Sequence, residues 1–535
     1  MIINALIIGA TLILAPMLIT ETLTVDYLPM YLQPGFIFGV LVAVALSFFF
    51  VKEKLSVCPL LGGAVAGTLN FLPLPLNAGH VACIMLIIYY ITGYIIIRQK
   101  RMKLGPPQFL WPILLVTLII FYHNHSLNVG ILGGSEEGAR PAILIYLVTI
   151  AYFCAINLVS PSVSFLRNIP FLYFVVTVFS SIPYLLSTYI PGLAPLLYNV
   201  TNSVNVDVYV DSLNGTGEGD SLVGKLAAFG PIGSSLQLYL LCYYPIGSWL
   251  RPDRWWVAGL SIVCIILQVA CGYRGEIFSF ALLVLAGAWA YYSWRSLILP
   301  MVVAVAALVL FVASSNNIVH LPVNKLPLIA QRTLSFLPGD WDKEAKESGE
   351  SSNDFRKGIQ DVYIDEYMKR SPLIGNGFTI DTKEFQFYQD AMRSGGWGDR
   401  SYLQAKTFIE GKLFHTGWIS VYDCVGIIGT LSFVLLGWNE IRMVRNFMGG
   451  PRADRQSTLF PLYVWIFCQL VAMMGSFFAV FGSFPDAFTG LLIYGMILSH
   501  LRDIENNTEI PVALTERTKQ PTLHHLEGVR YGYPS

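Results

Sequence analysis

The sequence predicts an all-α polytopic membrane protein, with about 14 transmembrane helices and a large extracytoplasmic loop containing short helices. Composition, long apolar runs and an alternating placement of basic residues lead to that reading. Of 535 residues, 54% are hydrophobic and 13% charged, and mean hydropathy is +0.58. Soluble domains carry about 25% charged residues. Half that share leaves too little polar surface to clothe a globule of this size, so lipid is the expected solvent. The formal net charge is zero, so no global field points to nucleic acid as a partner.

A helix needs roughly 20 apolar residues to cross a bilayer. Such runs fall near 3–20, 36–51, 58–76, 80–97, 107–122, 142–160, 170–190, 231–248, 255–271, 276–294, 297–315, 413–437, 458–480 and 485–501. Pro73 and Pro75 interrupt the third. The first has no basic leader and no small-residue cleavage site, so it reads as a spanning helix and not as a signal peptide. Alternate connections carry the basic residues: Lys52 and Lys54; Arg98, Lys100, Arg101 and Lys103; Arg167; Arg251 and Arg254; Arg295; and Arg442, Arg445, Arg452 and Arg455. The opposite short connections hold only Arg140, Lys225 and Arg274. The positive-inside rule then puts both termini in the cytoplasm. The expected organisation is transmembrane helices 1–11 over 1–315, an extracytoplasmic loop over 316–412, helices 12–14 over 413–501 and a disordered cytoplasmic tail over 502–535.

A loop that long is expected to have structure of its own. Its run NDFRKGIQDVYIDEYMKRSP reads as an amphipathic helix, with Phe355, Ile359, Val362, Tyr363 and Met368 at roughly helical spacing. Ser352 or Asn353 is the expected cap and Pro372 the expected stop. Arg356 then falls in the first turn, where a cation opposes the helix dipole unless an anion binds beside it. The glycine turn LIGNGF follows, and then a stretch with Phe385, Phe387, Tyr388, Trp397 and Tyr402. Such rings stack on sugar faces or settle at headgroups.

Charged residues inside apolar surroundings are the candidate functional positions. Arg274 and Glu276 stand in CGYRGEIF, between two apolar runs. Arg332 lies in the long loop. His415 opens the twelfth span, and Asp423 lies roughly 12 Å deeper along the helix axis. The eight cysteines all fall in or beside apolar runs with no CxxC pair. They read as small apolar residues, with no disulfide frame and no metal site expected.

In order and spacing, these features resemble the O-antigen ligase and polymerase superfamily of bacterial membrane glycosyltransferases. Tyr273-Arg274-Gly275 stands where the family tends to have Ser-Arg-Gly. Arg356 followed by SPLIGNGF matches the family's arginine-bearing helix, proline and glycine turn. His415-Thr416 stands for His-Asn, and Gly426-Ile427-Ile428-Gly429 for the Gly-hydrophobic-hydrophobic-Gly step. The family's acidic residue aligns with Cys424, one place after Asp423. The likeness covers roughly 255–440.

The resemblance implies transfer of a glycan from undecaprenyl pyrophosphate to a glycan or lipid acceptor hydroxyl. The reaction would take place at the outer face of the bacterial inner (cytoplasmic) membrane, without a cofactor. Arg274 is then expected to grip the diphosphate and His415 to take the acceptor's proton. Arg356 and Arg332 are further expected contacts to phosphate or sugar. Glu276 is expected to orient Arg274, and Asp423 to line the substrate site. Cationic side chains would take the place of a metal ion. The competing class is a lipid-linked oligosaccharide flippase or other transporter. The gathering of the candidate charges on one face, beside a one-sided loop, favours the enzyme.

Overall fold

The structure is a computed structural model. Its described residues run from 55 to 517, less 66, 70–75, 98–103, 124–138, 199, 205–225, 250, 292–325, 336–340, 379, 381, 394–399, 415, 450–457 and 481. The described residues are 80% helical, with no strand among them. The expected runs at 3–20, 36–51 and 297–315 lie outside the described residues, in whole or nearly so, as does His415.

Most of the described apolar runs form helices. We label these α1 (Cys58–Gly63), α2 (Ala78–Ile97), α3 (Pro107–His123), α4 (Ala139–Ala155), α5 (Ile169–Tyr189), α6 (Phe229–Tyr243), α7 (Trp255–Ala270) and α8 (Arg274–Tyr291). Four helices of the polar segment follow: α9 (Leu328–Leu334), α10 (Lys343–Val362), α11 (Thr382–Arg393) and α12 (Arg400–Glu410). The chain then returns to apolar helices α13 (Gly417–Gly449), α14 (Phe460–Ala479) and α15 (Phe484–Arg517). Four of these, α5, α13, α14 and α15, are long and apolar enough to cross a membrane; α3 and α7 and the apolar parts of α2 and α4 are shorter. Large side chains point outward along the bundle, among them Trp111, Leu118, Ile262, Ile266, Leu431 and Trp438. An apolar exterior of this extent fits a chain solvated by lipid.

The core lies along α14, whose Trp465, Phe467 and Leu470 are wholly buried between α8, α13 and α6. A second, smaller core joins Ile359 and Tyr363 of α10 and its continuation to Ala405 and Ile409 of α12 and Ile419 of α13. The polar helices therefore sit on the starting end of α13.

Three expected boundaries change. The run 58–76 is not a spanning helix: α1 ends at Gly63 and the chain turns back, so that a Cβ at Gly62 would meet the Ala78 backbone at 2.7 Å. The helix stops at the Gly62-Gly63 pair, where glycine weakens the helical ladder that hydropathy alone suggests. The amphipathic loop helix starts at Lys343, not near Asn353. Its N-cap is Asp342, which accepts a hydrogen bond from Glu344 N at 2.9 Å. The polar first half gave no apolar period to read, and Arg356 falls in the helix interior, so the first-turn dipole argument does not apply to it. The last helix continues past Leu501 to Arg517. Hydropathy marks where lipid ends, not where a helix ends, so the tail expected from 502 is helical in its described part.

Candidate functional site

The site begins at the turn between α7 and α8. Gly272 has φ of 80° and follows Cys271, the C-cap of α7. A left-handed glycine there ends one helix and lets the next start at once. Arg274 is the first residue of α8. Its position is fixed from α9: Nη2 donates to Ser335 Oγ at 2.6 Å, and Nε and Nη2 both donate to the Arg332 carbonyl at 3.3 Å. Thr333 Oγ1 also donates to the Val269 carbonyl at 3.3 Å, fastening α9 to the last turn of α7. Ser335 is therefore a positioning residue that sequence reasoning missed, and a lone serine after a short helix offers no signal.

Three arginines bear on this point. Arg274 lies ahead of the apolar run that starts at 276, and its pKa is pushed below the usual value by burial, then by the positive charges of Arg332 and Arg356. Among the described residues neither Arg332 nor Arg356 forms a side-chain hydrogen bond or an ion pair with a carboxylate. Glu276 does not pair with Arg274. Its side chain lies against α6, where a Cβ at Gly230 would come within 3.1 Å of Cγ. Glu276 sits two residues on, so the helical turn carries it to another face, and its expected orienting role falls to Ser335 and the Arg332 carbonyl.

A second charged group lies in α13, which is broken at Gly426 with φ 63° and ψ −169°. The break is filled by the turn after Pro372. Ile427 N donates to Pro372 O at 2.9 Å, and Ile428 N to Leu373 O at 3.1 Å. In return, Asn376 N donates to Asp423 O at 2.5 Å and Gly377 N to Cys424 O at 3.2 Å. The backbone groups freed by the break are thus re-paired, as a helix in an apolar setting requires. No side chain fits here: a Cβ on Gly426 would lie 2.4 Å from the Leu373 and Ile374 backbone. His123, at the end of α3, closes the turn from the other side, with Nε2 2.9 Å from the Ile374 carbonyl oxygen. The two glycine motifs read separately in the sequence are mates in space.

Asp423 stands beside this joint, wholly buried. It pairs with Lys412 Nζ at 2.6 Å and accepts from Asn376 Nδ2 at 2.8 Å and Tyr363 Oη at 3.3 Å. Lys412 itself has a left-handed backbone, φ 55°. With three donors on two oxygens, the carboxylate ties α10, the glycine turn and the approach to α13 together. Little is left over to hold a substrate.

One further cluster lies in the polar helices. After Val362 the chain makes one wide π turn, Tyr363–Tyr367, which re-aims its side chains. Tyr367 Oη hydrogen-bonds Glu410, and Lys406 pairs with Glu366 and donates to Tyr367 Oη at 3.1 Å. The Arg370 guanidinium covers the Tyr367 ring, 4.0 Å from its centroid. Burial raises the Glu410 carboxyl, opposed by the Tyr367 bond and reinforced by Glu384. The Lys406 hydrogen bond holds Glu366 below the usual range.

The starts of α8 and α13 meet the same end of α14. A Cβ on Gly275 would touch Val480 at 3.0 Å, and one on Gly417 would run into the Phe477 carbonyl. Of the sequence candidates, then, Arg332 and Arg356 are close enough for their charges to bear on Arg274, Asp423 belongs to a saturated structural joint, and Glu276 faces away. No family model matches the sequence, and no curated protein matches it.

Proposed function

We propose that the protein transfers a glycan from a polyprenyl-pyrophosphate carrier to an acceptor hydroxyl, as a ligase or polymerase of O-antigen or exopolysaccharide. In this reading it is a multi-pass protein of the bacterial inner membrane with both termini in the cytoplasm, and the arginine cluster faces outward. One observation carries the reading. Arg332 and Arg356, neither ion-paired among the described residues, bring positive charge to Arg274, which Ser335 and the Arg332 carbonyl hold at the end of an apolar bundle where a carrier lipid's diphosphate would lie. A guanidinium keeps its charge and grips phosphate oxygens with two parallel bonds. The resemblance over residues 255–440 supplies the reaction class, and the joining of its two glycine motifs in space supports that alignment.

The acceptor oxygen attacks the anomeric carbon while the bond from that carbon to the phosphate oxygen breaks. The glycan passes to the acceptor, and the electron pair leaves with polyprenyl pyrophosphate. Arg274 stabilises the departing diphosphate, with Arg332 and Arg356 beside it. His415 takes the acceptor's proton on its imidazole. His415→Ala should lower turnover by about 10²-fold or more while donor binding stays near normal.

A flippase or other transporter is the second reading. Glu440 in α13 favours it, being wholly buried with neither carboxylate oxygen hydrogen-bonded among the described residues. Carrier-lipid analysis of a deletion strain separates the two. Single repeat units accumulating on the carrier indicate a polymerase, and long polymer on the carrier a ligase. Purified protein that moves glycolipid between leaflets without making a glycosidic bond overturns the enzyme reading.

A further inference from the structure

A cleft of about 460 Å³ opens at the opposite end of the bundle from the arginine cluster, lined by Ser164, Arg167, Phe171, Tyr239, Tyr243 and Thr458 among others. It lies where α5 begins, α6 ends and α14 is about to begin. Two further contacts fix that level: Tyr291 at the end of α8 donates to the Cys242 carbonyl at 2.5 Å, and its ring lies 5.4 Å from that of Phe460. Arginines stack on aromatic rings around the same end, Arg254 over Tyr244 at 5.7 Å and Arg445 over Trp289 at 4.6 Å. Such a girdle is where a bilayer's headgroups meet a membrane protein.

Arg167 differs from its neighbours. Its backbone is pinned, because Tyr243 Oη donates to the Arg167 carbonyl at 3.1 Å. Its guanidinium is exposed and has no hydrogen bond or ion pair among the described residues. Among the described residues the lining contains no carboxylate. Behind the charge stands an aromatic wall, with Phe171 and Tyr239 centroids 5.9 Å apart and Tyr239 and Tyr243 5.0 Å apart.

We infer that this cleft binds an anionic glycerophospholipid, with its phosphate on Arg167 and its glycerol and first acyl carbons on the Phe171–Tyr239 wall. The Ser164 and Thr458 hydroxyls lie within the cleft as further donors to the headgroup. A free phosphate ion gains nothing from the aromatic wall, whereas a lipid buries apolar surface there. A zwitterionic ethanolamine headgroup would set its ammonium beside Arg167 with no acid among the described lining residues to receive it, so the cleft selects net negative charge. The inference requires a membrane-embedded chain and is independent of glycan transfer.

The test uses the full chain reconstituted in mixed phosphatidylglycerol and phosphatidylethanolamine, then released for native mass spectrometry. The wild type should retain phosphatidylglycerol in preference to phosphatidylethanolamine. Arg167→Ala and Arg167→Gln should both lower that retention about fivefold or more. Both variants should stay monodisperse, since the side chain is exposed, and millimolar inorganic phosphate should not displace the lipid. Equal retention in the variants overturns the inference, as does equal retention of the two lipids. Displacement by inorganic phosphate overturns it too, showing a site for the bare anion.

Discussion

The joint in α13 and the turn at the start of α8 both hold charge in apolar surroundings, and they treat it in opposite ways. At the joint, Asp423 meets Lys412, Asn376 and Tyr363, and the backbone groups freed at Gly426 are re-paired by the Pro372–Gly377 turn. At the start of α8, Arg274 is held rigidly by Ser335 and the Arg332 carbonyl, yet its charged neighbours are two more arginines. A saturated carboxylate belongs to the architecture. Like charges brought together repel one another in the empty protein, and an arriving anion relieves that repulsion. Depth in the bundle alone does not separate the two cases; the sign of the charges gathered around each group does.

That contrast makes the joint a matter of stability and the arginine turn a matter of activity. The largest expected effect is at Gly426. Gly426→Ala combines a left-handed backbone with a Cβ 2.4 Å from the Leu373 backbone. It should cost several kcal/mol and abolish the yield of folded protein in size-exclusion chromatography. A monodisperse, normally stable Ala variant would break the account of the joint. Next, Arg274→Ala should lower transfer about 10²-fold or more with the protein level unchanged, as measured by product glycan in membranes. Arg274→Lys should recover little, because a point charge does not reproduce the two-pronged grip.

Asp423→Asn should destabilise the fold by about 3 kcal/mol through the unpaired Lys412, read as a lowered thermal midpoint. Adding Lys412→Met should recover part of that loss. The smallest effect lies in the polar helices. Glu410 has a raised folded pKa, so it favours folding at low pH and that contribution is lost as pH rises through the raised value. Glu410→Gln should flatten that part of the stability–pH profile. Glu366 runs the other way: its lowered pKa gives stability above the ordinary carboxylate range that is lost as pH falls.

The sequence carried these two regions unequally. Arg274 was legible because a cation between two apolar runs is conspicuous, and Gly426 because its Gly-Ile-Ile-Gly step carries part of the family resemblance. That Gly426 is mated to Pro372–Gly377 was not legible, since the pairing joins segments about fifty residues apart through backbone atoms that have no sequence signature. Ser335 was invisible for a similar reason. The early start of α10 at Lys343 escaped because its first turns are polar and carry no apolar period. The run 58–76 misled in the other direction, with composition outweighing the breakers inside it.

The most direct test measures binding of undecaprenyl pyrophosphate to the purified full chain, comparing wild type with Arg274→Ala, Arg356→Ala and Asp423→Asn at a temperature where all are folded. The account predicts that each arginine variant binds about tenfold or more weakly, while Asp423→Asn binds near normally despite its lower thermal midpoint. Unchanged binding in both arginine variants, or a loss confined to Asp423→Asn, would contradict the assignment of the diphosphate to the arginine cluster.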